Sequence, residues 1–200
     1  MRARSCAAGL LASFACASAQ EVHPPQTLAI LFQFEQPYPA RALVETQREL
    51  DALTKGAAVR LEWHDRGGRK AGGSFPNILV VDFLGSCDPR SENKLSGPPA
   101  GWLARMHVSD GVVLPFGEVN CDLVRAVMSD ATPKDKPSDK GFGRALARVL
   151  AHELYHFMTN STEHLGWGLV KPSFSRKDLV SDGVKLNESE LDRLSKAILP

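Results

Sequence analysis

Residues 27–63, TLAILFQFEQPYPARALVETQRELDALTKGAAVRLEW, decide the architecture of this chain. The run at 27–34 is apolar and strand-like. Residues 40–54 repeat at helical spacing, with Leu43, Leu50 and Leu53 on one face and Arg41, Glu45, Arg48 and Glu49 elsewhere. Residues 59–63 then alternate as a strand does. Strand, helix, strand in that order predicts a right-handed crossover and two parallel strands in one sheet.

Working outward, residues 64–76 are rich in Gly and Arg and read as a surface loop. The run NILVVDFL at 77–84 is apolar enough for a central strand. A polar loop with Cys87 follows at 85–99. Two apolar runs, 102–108 and 112–116, flank Ser109-Asp110-Gly111, and Asp-Gly between such runs is a hairpin signal. A short helix is expected at 122–128, an exposed loop at 132–140, and a long helix at 141–159. Beyond it, Ser175-x-x-Asp178 and Asn187-x-x-Glu190 have the form of helix N-caps, and Leu191, Leu194 and Ile198 share one face of a last helix. The expected fold class is α/β (α+β): a mixed twisted sheet with C-terminal helices in a single domain.

At 200 residues and 43% hydrophobic, the chain can bury one substantial core. Arg2 and Arg4 precede a small-residue apolar stretch ending in Ala17-Ser18-Ala19, which reads as a secretory signal over residues 1–19. The domain then occupies 20–200, and the expected location is secreted or periplasmic. A membrane anchor would need a longer apolar stretch, and Ser13-Phe14-Ala15 is a poor lipoprotein context for Cys16. A formal net charge of +1 gives no sign of a nucleic-acid or anionic-membrane surface. Removing the leader leaves Cys87 and Cys121. An isolated pair in an oxidising compartment bridges. The competing readings are two buried thiols, or a cysteine that blocks the metal of a latent enzyme.

The helix at 141–159 carries the chemistry. It contains His152-Glu153-Leu154-Tyr155-His156, and His164 follows. Histidines four apart project from one helix face, so both imidazoles can ligate one Zn2+ ion, with Glu153 beside it as a candidate general base. Ala145 and Val149 share their side, while Phe142, Leu146, Leu150, Leu154 and Phe157 form another; Arg144, Arg148 and Tyr155 make a narrow polar stripe. Such a helix is largely buried, and buried imidazoles beside a carboxylate need a partner. Asn160 can adopt the left-handed conformation that turns the chain back, which would bring in His164 as third ligand. Downstream carboxylates compete for that place: Glu188, Glu190, Asp178, Asp182 and the neighbouring Glu163. His64 and His107 sit at strand ends and read as surface or hydrogen-bonded residues, and His23 belongs to a Pro-rich leader. Asp82, Glu118 and Asp122 are candidates to orient the ligating imidazoles. Trp167 and Phe174 could wall a specificity pocket or simply fill the core.

These motifs resemble the metzincin zinc metallopeptidases over residues 141–165, with a topological likeness over 27–128. His152, Glu153 and His156 match the family's His-Glu-x-x-His. The spacing departs from it: His164 lies eight residues after His156 with no glycine between, and no methionine follows Met158. The resemblance implies a zinc endopeptidase acting on a peptide or protein substrate. It also implies that the strand at 112–119 holds extended substrate, through Val112, Leu114 and Phe116. Two alternatives stand beside it: a zinc hydrolase of non-peptide amides such as cell-wall material, and a non-catalytic zinc-binding protein on the same scaffold. Glu153 argues against the second, since a structural site has no use for a base there.

Overall fold

The computed structural model describes residues 25–67, 74–92, 101–129 and 136–197. The expected signal segment, His23 and Ile198 lie outside these residues. Strand β1 (Gln26–Phe34), helix α1 (Ala40–Leu53) and strand β2 (Val59–Asp65) form the expected unit, with β1 and β2 parallel. Strand β3 (Ile78–Leu84) pairs with the other side of β1, again in parallel. The hairpin of β4 (Ala104–Ser109) and β5 (Val112–Asn120) completes a five-stranded mixed sheet in the order β2-β1-β3-β5-β4. Asp110 and Gly111 both have positive φ at its tip, as the Asp-Gly signal requires.

Alternation along the strands separates two faces. Leu28, Ile30 and Phe32 of β1 and Leu79, Val81 and Phe83 of β3 join one buried core with α1 and the long helix α3 (Asp139–Thr159). Their neighbours Gln33 and Asp82 are at least partly exposed. The sheet therefore buries one face under the helices, while the other, with Leu31, Val80 and Leu84 beside Gln33 and Asp82, is only partly covered. Two extra residues of β5 bulge between the Met106–Gly117 and Val108–Val113 pairs. Pro115 lies in that bulge, where its missing N–H costs no ladder bond.

Helix α2 (Cys121–Met128) follows β5, capped by the Asn120 side chain on the Leu123 N–H. Helix α3 begins earlier than its hydrophobic pattern implied. Ser138 caps it by accepting from the Gly141 N–H at 3.1 Å, so Asp139 and Lys140 belong to its first turn rather than to the preceding loop. Two members of the narrow polar stripe, Arg148 and Tyr155, are fully buried, and Arg144 is partly so. Arg148 is 1% exposed, donates to the Asp178 carbonyl at 2.9 Å and pairs with Glu49 of α1 at 3.3 Å. Tyr155 is buried, and its hydroxyl accepts from Arg193 at 3.2 Å. Helices α4 (Arg176–Val180) and α5 (Glu188–Lys196) each start with a capping box, Ser175 with Asp178 and Asn187 with Glu190. A disulfide joins Cys87, after β3, to Cys121 at the start of α2. Among the described residues no helix is long and apolar enough to cross a membrane.

Candidate metal centre

His152 and His156 lie one turn apart on the buried side of α3. Each is oriented by a backbone carbonyl: His152 Nδ1 donates to the Leu169 carbonyl at 2.7 Å, and His156 Nδ1 donates to the Ser161 carbonyl at 2.6 Å. A carbonyl only accepts, so both rings carry their proton on Nδ1 and present an Nε2 lone pair. Those two Nε2 atoms face each other at 2.9 Å, and His164 Nε2 lies 3.2 Å from that of His152.

Asn160 makes the third approach possible. It ends α3 in the left-handed conformation (φ 45°, ψ 46°), and its side chain accepts from the Val113 N–H at 2.9 Å. The turn places the Ser161 carbonyl on His156 and leads the chain back so that His164, exposed at the mouth, meets the buried pair. The eight-residue spacing is thus accommodated by asparagine in place of a glycine turn.

The facing Nε2 lone pairs of His152 and His156 repel one another unless a cation lies between them. Burial pushes the His152 pKa down to about 4, helped by the charges of His156 and His164 and opposed by the Leu169 carbonyl. Burial also lowers that of His156. A proton is therefore a poor occupant at neutral pH, and a divalent ion is the better one. Ligands at about 2.0–2.1 Å on a tetrahedral ion stand roughly 3.3 Å apart, close to the separations seen here. The three histidines fit a metal ion.

Glu153 follows His152 and is 6% exposed. Burial raises its pKa to about 8, against the Met106 N–H of β4, which bonds to the carboxylate and favours its charged form. A cleft of about 530 Å³ opens onto the histidines and Glu153. Leu103, Met106, Leu123, Val127, Val149 and Phe174 supply its apolar wall.

Other expected participants lie elsewhere. Asp178 is in its capping box and pairs with Lys171 at 2.6 Å, Asp182 pairs with Arg144 at 2.6 Å, and Glu190 is in the α5 capping box. Among the described residues, the histidines alone form a group able to hold a metal. His64 packs on Phe75, and His107 Nε2 lies 3.6 Å from Glu118. The orienting groups are backbone carbonyls, not the carboxylates of Asp82, Glu118 or Asp122, which pair with Arg66, Arg105 and Arg125. A carbonyl belongs to every residue, so sequence gives it no mark. Phe174 lines the cleft, its ring 5.6 Å from that of His152, whereas Trp167 is 61% exposed and outside the lining. Strand β5 is paired on both sides, and Leu114 and Phe116 line a separate depression with Asp82 and His107. Val112 is exposed. The strand whose outer edge borders the metal cleft is β4, and Val112, Leu114 and Phe116 of β5 are not among the residues that line that cleft.

No family model matches the chain, and no curated protein matches it.

Proposed function

We propose that this protein is a zinc-dependent hydrolase that cleaves peptide bonds. The observation that carries the reading is the convergence of three imidazole Nε2 atoms in a cleft that also holds one buried carboxylate, Glu153. An imidazole-only donor set suits zinc, and three protein ligands leave a position for water, the arrangement of catalytic rather than structural sites. His152, His156 and His164 would hold the ion, which when bound supplies a Lewis acid that lowers the pKa of water toward about 7 and polarises a carbonyl.

The chain's own residues account for the remaining chemistry. A cation held by the neighbouring histidines favours the charged form of Glu153 and so restores its basicity. Glu153 takes the proton of the attacking water and delivers it to the leaving amine nitrogen. The Leu169 and Ser161 carbonyls keep the imidazoles in one tautomer through the reaction. The outer edge of β4, which pairs with no strand among the described residues, supports an extended peptide as substrate, since such a chain can add to a strand edge and lower a side chain into the apolar wall. That edge favours a peptide over a small non-peptide amide. The Cys87–Cys121 disulfide supports action in an oxidising compartment, secreted or periplasmic.

The test is zinc content of the purified protein by elemental analysis, beside His164→Ala and Glu153→Gln, followed by a peptide-library digest. One zinc per chain, retained in Glu153→Gln and weakened in His164→Ala, with cleavage by the wild type alone, is the expected result. No bound metal after zinc reconstitution would refute the proposal.

A further inference from the structure

We infer that Glu190 is a positioning residue of the metal centre: from α5 it braces the segment 166–170, which carries the Leu169 carbonyl that orients His152 and begins two residues after His164. The inference rests on the metal-site reading above.

Glu190 is 0% exposed. Its Oε2 accepts from the Asn187 N–H at 2.7 Å, closing the capping box of α5. A cap alone does not call for such burial. Asp178 performs the same task in α4 while a quarter of its side chain stays in solvent and Lys171 neutralises it. Glu190 makes no ion pair among the described residues, and burying a carboxylate without one is costly.

Its second oxygen indicates what it is buried against. Gly168 packs on the carboxylate so closely that a Cβ there would stand 2.9 Å from Oε1 and 3.4 Å from Oε2. Gly168 has φ +74°, so that position favours glycine on backbone grounds as well. Oε1 is buried with no hydrogen-bond partner among the described residues, so the carboxylate meets the segment by direct packing on Gly168. The segment is closed by a hydrogen bond from the Leu165 N–H to the Val170 carbonyl at 2.5 Å. Leu169 is the residue next to the packed Gly168, and its carbonyl accepts the hydrogen bond from His152 Nδ1. Releasing the brace lets that carbonyl drift, and His152 then loses the bond that fixes its tautomer.

The experiment uses the full chain in two states. In the metal-free protein, long-range proton–nitrogen spectra of the histidine rings report the His152 tautomer. In the second, zinc is titrated against a chromophoric chelator. Glu190→Ala should turn the single Nδ1–H tautomer of His152 into a mixture and weaken zinc binding about 10- to 100-fold. Glu190→Gln, which keeps the cap and the shape, should restore both to near wild type. Asn187→Ala breaks the same capping box from its other side, and should lower stability while leaving both readouts unchanged. If Glu190→Ala does not fold, Glu190→Asp, which draws the carboxylate back from Gly168, should mix the tautomers. A wild-type tautomer in Glu190→Ala or Glu190→Asp overturns the inference, as does an equal loss of zinc affinity in Asn187→Ala. A wild type that binds zinc but cleaves no peptide would remove the hydrolase reading and leave these results intact. A wild type that binds no zinc would remove it too, and the metal-free spectra would still decide the role of Glu190.

Discussion

In the metal-free chain, burial holds Glu153 protonated up to a pH of about 8, well above the ordinary 4.5. A carboxyl whose folded pKa is raised costs stability once the unfolded form ionises, so its contribution is lost as pH rises from 4.5 toward 8. At pH 7 that loss is on the order of 3 kcal/mol, at about 1.4 kcal/mol per pKa unit. Glu153→Gln should therefore stabilise the chelated protein at pH 7, and the gain should vanish at pH 4, where both states are protonated. Urea midpoints at the two pH values check this. The same variant should lose hydrolysis by about 10²–10⁴-fold, because the neutral amide cannot accept the proton. His152 works in the opposite sense. Its folded pKa of about 4 lies below the ordinary 6.5, so its stability is present above 6.5 and is lost as pH falls through that window. In the metal-free Glu153→Gln background, where the opposing trend is gone, stability should drop by roughly 3 kcal/mol between pH 6.5 and 4. A flat profile there would mean that His152 is solvated rather than buried.

At the scale of elements, the site depends on how closely α3 lies against α1. A Cβ on Gly143 would stand 2.4 Å from the Ala42 carbonyl oxygen and 2.7 Å from Glu45 Cβ, so the two helices meet at backbone distance. Thr46 Oγ1 donates across the same contact to the Gly143 carbonyl at 3.1 Å. Alanine in place of glycine inside a helix gains about 1 kcal/mol of propensity, whereas overpacking costs about 1–3 kcal/mol. Here backbone and not a flexible side chain stands in the way, so the second term should win. Gly143→Ala should lower the urea midpoint, and a rise would show that the helices separate freely. The glycine pattern did not announce this contact, because nothing in 141–159 distinguishes a helical glycine that meets a neighbour from one that faces solvent. Other features were readable for definite reasons. Continuous apolar runs mark β1 and β3, alternation marks β2, and a period-3.6 pattern marks α1, since each reflects how much of the element is buried. Asn160 was readable because few residues other than glycine adopt its conformation. The orienting carbonyls and the brace under 166–170 were not, since both arise from where the chain folds back and not from residue type.

For the whole molecule, the disulfide and the proposed metal act in different places. The disulfide ties the segment after β3 to α2, and α2 contributes Leu123 and Val127 to the wall of the cleft. The three histidines that could hold a metal all come from α3 and the segment that follows it. Cys87 and Cys121 are 34 apart in sequence, and the chain-entropy estimate for closing such a loop is about 4 kcal/mol. Replacing both by serine should lower unfolding stability by roughly 2–4 kcal/mol. Each ligand and its orienting carbonyl lies outside the closed loop, so zinc affinity should stay within about twofold of wild type under conditions where the protein remains folded. The cleft wall, by contrast, loses its covalent tie, so KM for peptides should rise while kcat changes little, the signature of weakened uniform binding. Urea unfolding, zinc titration and peptide kinetics on the one double variant separate the three effects. A parallel fall in zinc affinity would place α2 within the metal centre's support, and the division between a binding wall and a metal-holding helix would have to be abandoned.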